Sequence, residues 1–410
     1  MSIVEAIRGI SLDISAKPTL AAKAHALQKY AVVLGREVFG IVTMAPFALK
    51  SYWLYHRLGS DRGRMNVVLC RDQRYGPRPR NVLDVYRPRE TKQGVAEPGR
   101  GEMAEAEGPR PVVLFVHGGV WASGSKWHYA KMASRLAQEG ITTCVAEYTL
   151  FPDCTSERMV KEVGKALDWV VEHCAVSENQ KVVLVGHSAG AHLCAMLLLD
   201  RAKACSGDAE GEGRSSYVPS RFVGMAGVYD ISRHYEYEKS RNVHHLSTMQ
   251  RAVGGKGSFA MQSPAVLLRE EAASGSSPID VGRLPSIHLM ASRSDIVVPH
   301  VESSDLHALL HSRGCPAVTL SLYDGVGHGD FVVEWEPRGA GKPGENSKRS
   351  KENENNATKC ESVEGHGDPS LSATSPASIE YHMSDLPPYA QDLIRTILDA
   401  DTTSSVRDNK

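Results

Sequence analysis

The sequence predicts an α/β fold: a mostly parallel central sheet with helices on both faces and a small cap. Three observations lead there. From Asn66 onward, short apolar runs alternate with segments of helical periodicity. Several of the runs are apolar throughout, as strands buried on both faces are. One run, Val182-Val183-Leu184-Val185, leads through Gly186-His187-Ser188-Ala189-Gly190 into a helical pattern, which reads as strand, sharp turn and helix.

Val67 to Cys70 and Val82 to Tyr86 read as two antiparallel opening strands, and Val112 to Val116 as a central strand. Trp127 to Glu139 has helical periodicity and stops at Gly140. Thr142 to Ala146 is the next strand. Arg158 to Cys174 is a helix whose apolar stripe is Val160, Val163, Leu167, Val170 and Val171. After the Val182 strand and its helix come strands at Phe222 to Val228, Ile287 to Met290 and Val318 to Tyr323. A helix at Val301 to His311 lies between the last two. Residues about 230–280 supply the expected cap. The main domain is expected to span 66–337, and a helix within 384–402 to complete it, with Pro387-Pro388 starting Tyr389 to Leu398.

Three polar stretches interrupt this plan: Arg87 to Arg110, Ala204 to Ser216, and Arg338 to Met383. The last has too few apolar residues to offset its ordering entropy and is expected to be disordered. It contains the sequon Asn356-Ala357-Thr358, a triplet that recurs by chance in Asn-rich sequence.

Residues 1–65 are expected to be helical. Tyr30 to Tyr55 is mostly apolar but is interrupted by Arg36, Glu37, Pro46 and Lys50. The charge-free part, Val38 to Leu49, is short of the roughly 20 residues a span needs. Tyr52, Trp53 and Tyr55, followed by Arg57, Arg62 and Arg64, have the composition of an interfacial belt with a basic flank. Contact with a membrane surface and packing across the protein body are both open readings.

A net charge of −1 gives no bulk attraction to nucleic acid. Eight cysteines lack metal-ligand spacing, and a disulfide framework is not expected in a chain of this length. Seventeen histidines are dispersed, and His244-His245 lacks partners at zinc-like spacing. No metal and no cofactor is expected.

Chemistry concentrates at four places. Ser188 sits at the apex of its turn, with the Ala189 amide facing the same space. His117-Gly118-Gly119-Val120-Trp121 follows the Val112 strand. Its glycines let backbone amides approach a reacting carbonyl, so Gly118, Gly119, Val120 and Ala189 form the expected oxyanion hole. Gly119 and Val120 are the favoured donors, and Gly118 shapes the turn; a plain glycine turn is the competing reading. Asp295, in Ser292-Arg293-Ser294-Asp295, stands just past the Ile287 strand, where a carboxylate can orient a histidine. His328, in Gly325-Val326-Gly327-His328-Gly329-Asp330, follows the final strand. The order serine, acid, histidine is that of a nucleophile-elbow hydrolase. Asp330 is the fallback acid. His366, in a similar Gly-His-Gly-Asp tetrad, is set aside because it lies in the insert expected to be disordered. Ser188 is thus the expected nucleophile, His328 the base and Asp295 the orienting acid. Trp121 and His187 are expected to line the substrate site.

With those residues placed, the chain resembles the α/β-hydrolase superfamily. More narrowly it is similar to the esterase branch with His-Gly-Gly-x-Trp, which includes isoprenylcysteine methylesterases and kynurenine formamidases. Met44-Ala45-Pro46-Phe47, Pro79 to Tyr86, Glu147 to Pro152 and Gln262-Ser263-Pro264 also look like methylesterase segments. Thr149 replaces that family's usual arginine, and His187 stands where plant methylesterases usually carry glutamine. The resemblance implies an acyl-enzyme esterase, with a prenylcysteine methyl ester as small-molecule substrate. The alternatives are a formamidase-type amide hydrolase and a hydrolase-fold receptor that binds without turnover. Peripheral or anchored association with the endoplasmic reticulum or Golgi membrane is expected, with the cytosol as alternative.

Overall fold

A computed structural model describes residues 3–60, 67–89, 110–175, 180–204, 217–274, 279–333, 335 and 386–399. Eight strands form one sheet: β1 (Val67–Arg74), β2 (Val82–Pro88), β3 (Val112–Val116), β4 (Thr142–Ala146), β5 (Val182–His187), β6 (Arg221–Met225), β7 (Ser286–Ser292) and β8 (Val318–Tyr323). Their order is β1-β2-β4-β3-β5-β6-β7-β8. β2 runs antiparallel to both β1 and β4, and every pair from β4 to β8 is parallel. This is the mostly parallel sheet that the alternating pattern predicts.

Alternation along the central strands divides the core in two. Val112, Leu114, Val116, Val182 and Leu184 point to one face. There they meet the helices Ser156–Cys174 and Ala189–Ala204. Val113, Phe115, Val183 and Val185 point to the other face, against the helices Ala130–Gln138 and Pro388–Leu398. Burial on both sides explains why β3 and β5 carry no polar residue before their last positions.

Several boundaries differ from the sequence reading, and three of them have a visible local form. The helix expected from Trp127 begins as a 3-10 turn, Lys126–Tyr129, and becomes α-helical at Ala130. The strand expected to reach Val228 ends at Met225, because Ala226 turns into positive φ (46°) and its amide crosses to Met290 O. The opening strand extends to Arg74 through a register shift between Cys70 and Gln73. The stretches Arg87 to Arg110 and Ala204 to Ser216 fall mostly outside the described residues. The insert Arg338 to Met383, with Asn356 and His366, falls wholly outside them.

The N-terminal segment forms two helices, Ile3–Ser15 and Leu20–Ser60. The second ends on the protein body. Ser51 and Leu58 are buried, Tyr52 meets Trp127 edge-on at 5.5 Å, and the Arg71 guanidinium lies over the Tyr55 ring at 4.2 Å. No described helix is long and apolar enough to cross a membrane. This corrects the expected placement in an endoplasmic reticulum or Golgi membrane. Lys23, Lys29, Arg36, Glu37, Lys50 and Arg57 recur along Leu20–Ser60 at intervals too short to leave an uncharged span.

Candidate active site

All parallel strands from β3 to β8 end at one sheet edge, and the motifs lie just beyond those ends. Pairing sets their level: Val116 opposes Gly186, His187 opposes Met225, and Ser292 opposes Tyr323. The loops starting at His117, Ser188, Arg293 and Asp324 therefore rise side by side.

Ser188 holds φ at 54°, a left-handed conformation that costs free energy in a residue with a Cβ. Its neighbours make the turn sterically possible. A Cβ on Gly190 would stand 2.1 Å from Val116 O, and one on Gly186 would stand 2.6 Å from Ala191 Cα. The helix can start this close to the strands only with glycine at both positions. Gly118 is constrained in the same way, since its Cβ would fall 2.9 Å from both His187 O and Ser188 Cβ.

The glycine loop is turned by its own hydrogen bonds. The Gly119 carbonyl accepts from the amides of Ala122 and Ser123 and from Ser123 Oγ, at 2.9–3.0 Å. The Gly118 carbonyl accepts from His117 Nδ1 at 2.7 Å. In a trans peptide the following N–H points opposite to the carbonyl, so the Val120 and Gly119 amides face away from these turns. Likewise Ser188 O accepts from the His192 amide, which directs the Ala189 N–H away from its helix. The Gly118 backbone also acts on the buried Tyr129 phenol, in keeping with a role in shaping the loop. Val120 and Trp121 both carry positive φ (51° and 57°), unusual for bulky side chains and in keeping with a loop held for function.

His328 Nδ1 lies 2.7 Å from Asp295 Oδ2. Asp295 Oδ1 accepts from the Val297 and Val298 amides at 2.7 and 3.0 Å. Burial alone would raise this carboxyl. The hydrogen bond and charge of His328, with the two amides, outweigh it and hold the pKa below the usual carboxylate range. A carboxylate only accepts, so Nδ1 carries the proton of neutral His328 and Nε2 presents a lone pair. Asp330 accepts instead from the Gly327 amide at 2.6 Å and closes its own turn. The geometry thus gives the histidine to Asp295 and not to the fallback acid. The Gly325 amide donates to Ser294 Oγ at 2.8 Å, tying the two loops together.

The His328 ring stands 4.8 Å, centroid to centroid, from the ring of His187, the residue before Ser188. Among the described residues no hydrogen bond joins Ser188 Oγ to His328. Contacts of this kind commonly tighten only when substrate is bound. His187 Nε2 lies 2.9 Å from His328 O. A carbonyl can only accept, so Nε2 is the protonated nitrogen. Burial lowers the His187 pKa to about 3, helped by the His328 charge, and the ring stays neutral. The residue expected to touch substrate is thus committed to the histidine loop. Trp121 is likewise buried, and its indole N–H donates to His192 Nδ1 at 3.2 Å. His192 Nε2 then donates to Gln262 O at 2.7 Å. His192 escaped the sequence reading, although its place four residues after Ser188 puts it one helical turn beyond the elbow. Among the described residues no cluster of His, Cys, Asp or Glu could hold a metal ion.

Comparison with known proteins agrees with this architecture. Residues 102–310 match the BD-FAE family model. The chain is 32% identical over 276 residues to a probable isoprenylcysteine alpha-carbonyl methylesterase of Oryza sativa subsp. japonica, covering 66% of this chain and 59% of that protein. It thus spans less than two thirds of that relative's length. It is 26% identical to a kynurenine formamidase of Salmo salar, over 70% of this chain and 83% of that one. Esterase B of Lactobacillus Rhamnosis superposes with a TM-score of 0.52 at 18% identity, over 76% of this chain and 90% of that one, a likeness of fold.

Proposed function

The chain belongs to the BD-FAE family, with the α/β-hydrolase fold, and from that premise we propose that it is a serine hydrolase acting on carboxylic esters through an acyl-enzyme. The observation that carries the proposal is the 2.7 Å contact of His328 Nδ1 with Asp295 Oδ2, beside a serine held at φ 54°. In this reading His328 Nε2 takes the Ser188 proton as the oxygen attacks the carbonyl. Asp295 holds the tautomer and offsets the charge that develops on the ring. The Gly119, Val120 and Ala189 amides receive the oxyanion. His328 then protonates the leaving group, and water reverses the sequence to release the acid.

Similarity to the rice protein supports a prenylcysteine methyl ester as substrate, cleaved to the carboxylate and methanol. A second reading has its own support: the chain covers more of the salmon formamidase than of the rice methylesterase. The same machinery would then cleave a formamide. Ser188→Ala should abolish turnover of a short-chain nitrophenyl ester without changing the thermal melt. Wild-type turnover by that variant would refute the nucleophile. A panel holding a farnesylcysteine methyl ester and N-formylkynurenine separates the two readings, since turnover of only the latter would reject the first.

A further inference from the structure

Between β6 and β7 the helix Ile231–Ser240 turns Ile231, His234, Tyr235 and Glu238 inward. This is the i, i+3, i+4, i+7 stripe of a core-facing helix. Ile231 and Tyr235 pack into the apolar core, as such a stripe requires. His234 and Glu238 have no apolar reason to be there. Their side chains are only 6% and 10% exposed, and His234 Nε2 stands 3.9 Å from Glu238 Oε1, beyond hydrogen-bond range. The Ser247 hydroxyl acts as a hydrogen-bonding neighbour of the Glu238 carboxylate, but His234 Nδ1 and Glu238 Oε2 themselves have no hydrogen-bond partner among the described residues. Buried atoms of this kind are costly to leave unpaired, and a leucine at either position would avoid the cost.

The stripe borders the candidate active site on two sides. Tyr237 Oη, on the same helix, donates to Ile296 O at 2.8 Å, next to Asp295. Thr248 Oγ1, after the helix, donates to Val120 O at 2.6 Å in the glycine loop. The segment therefore bridges the loop that carries Asp295 and the glycine loop. His234 is near enough to His328 and Asp295 for their charges to act on its ring, which burial holds neutral with a pKa lowered to about 4. Arg241 also acts electrostatically on both residues of the pair, but its guanidinium is stacked 5.3 Å over the Tyr237 ring.

We propose that His234 and Glu238 form a subsite for the amino group of the substrate, so that the preferred substrates are α-amino-acid esters or amides. With the His234 Nε2–H turned toward Glu238, both orphaned atoms, Nδ1 and Oε2, are acceptors. An ammonium supplies several donors and a charge opposite to that of the carboxylate, and so satisfies both. Burial lifts the Glu238 carboxyl to about 7, and a cation placed against it restores the ionised form. Both atoms are closed from solvent, so entry requires the cap to open at the Tyr237 and Thr248 contacts. This subsite rests on the serine-hydrolase reading.

The test compares an S-alkylcysteine methyl ester with its desamino counterpart, a methyl 3-(alkylthio)propanoate. Wild-type kcat/KM should favour the amine by about tenfold or more, the scale of a charge-assisted hydrogen bond. In Glu238→Gln the two values should come within about twofold of each other, since an uncharged amide cannot supply that term. Equal rates in the wild type overturn the proposal. So does a preference that survives in Glu238→Gln, which would mean that the pair holds only water. If that variant fails to fold, His234→Gln takes its place and must shrink the preference. Fluorophosphonate labelling of Ser188 reads the underlying chemistry separately, and its absence in the wild type would refute the hydrolase reading. In that event calorimetry with the same two esters decides about the subsite: preferential binding of the amine supports it, and equal or no binding overturns it.

Discussion

His187 offers the sharpest test of how the site is assembled. Its ring is buried, and its Nε2–H donates to the His328 carbonyl at 2.9 Å. That bond joins the residue before the nucleophile to the residue that carries the base. His187→Ala removes the donor and the ring tilted against His328, and leaves a part-buried carbonyl unpaired, at a cost of up to about 1–3 kcal/mol. The loop then has reason to shift, and a displacement of about 1 Å between reacting groups commonly costs on the order of 100-fold in rate. The expected result is a kcat on a nitrophenyl ester lowered about 100-fold with KM changed by less than about threefold, because the geometry of reaction and not of binding is lost. His187→Gln restores an N–H donor of similar reach and should recover most of the rate. The ring, with its pKa lowered to about 3 by burial, stays neutral above pH 5. The pH–rate profile of the glutamine variant should therefore superimpose on that of the wild type above pH 5. Initial rates from pH 6 to 9 test both points. A His187→Ala enzyme with undiminished kcat, or a glutamine variant as impaired as the alanine one, would refute the argument.

Two further outcomes follow from the same geometry. Asp295→Asn should lower kcat by roughly 10³–10⁴-fold, since the carboxamide no longer fixes the Nδ1–H tautomer; Asp330→Asn, which loses only a turn contact, should stay within about tenfold of the wild type, and steady-state kinetics that reverse this order would return Asp330 to the role of acid. Acid should also unfold the protein early. His117, His187 and His192 are buried with pKa values lowered by desolvation to about 4, 3 and 4, against about 6.5 when unfolded. As pH falls below 6.5 the unfolded chain takes up protons that the folded chain refuses. Each histidine then removes about 1.4 kcal/mol per pH unit until its folded pKa is reached. The lowered carboxyl of Asp295 acts only at more acid pH and does not contribute in that window. Urea midpoints at pH 7.5 and 5.0 check the sign, and equal midpoints would refute it.

What was legible in the sequence is what short-range chemistry dictates. β3 and β5 are apolar at every position that faces a helix layer, so their burial on both faces shows in the composition. Gly186 and Gly190 mark the elbow because nothing larger fits beside Ala191 and Val116. The choice between Asp295 and Asp330 was a different kind of problem. Both precede or follow His328 at plausible distances, and only the fold shows that Asp330 turns back to the Gly327 amide while Asp295 reaches across from the end of β7. The N-terminal helix misled for a related reason. An aromatic and basic cluster has the same composition whether it meets lipid or protein. Here Tyr52 meets Trp127, Tyr55 lies under Arg71, and the exposed Trp53 is covered by Arg57 at 4.8 Å. Pro46 did not end the helix either, since Leu20–Ser60 runs through it. The segment between β6 and β7 was the least legible part. Its inward stripe at 231, 234, 235 and 238 has helical spacing but is polar at two of four places, so it reads as a solvated face until the fold buries it. Positive φ at Val120, Trp121 and Ser188 puts three strained residues just past the ends of β3 and β5, although positive φ also occurs at Asp72, Ala226 and Asn242, and buried polar atoms without a partner occur as far off as Asp84 and Ser134. Strain past β3 and β5 is informative through the groups it positions, and not because the rest of the chain lacks it.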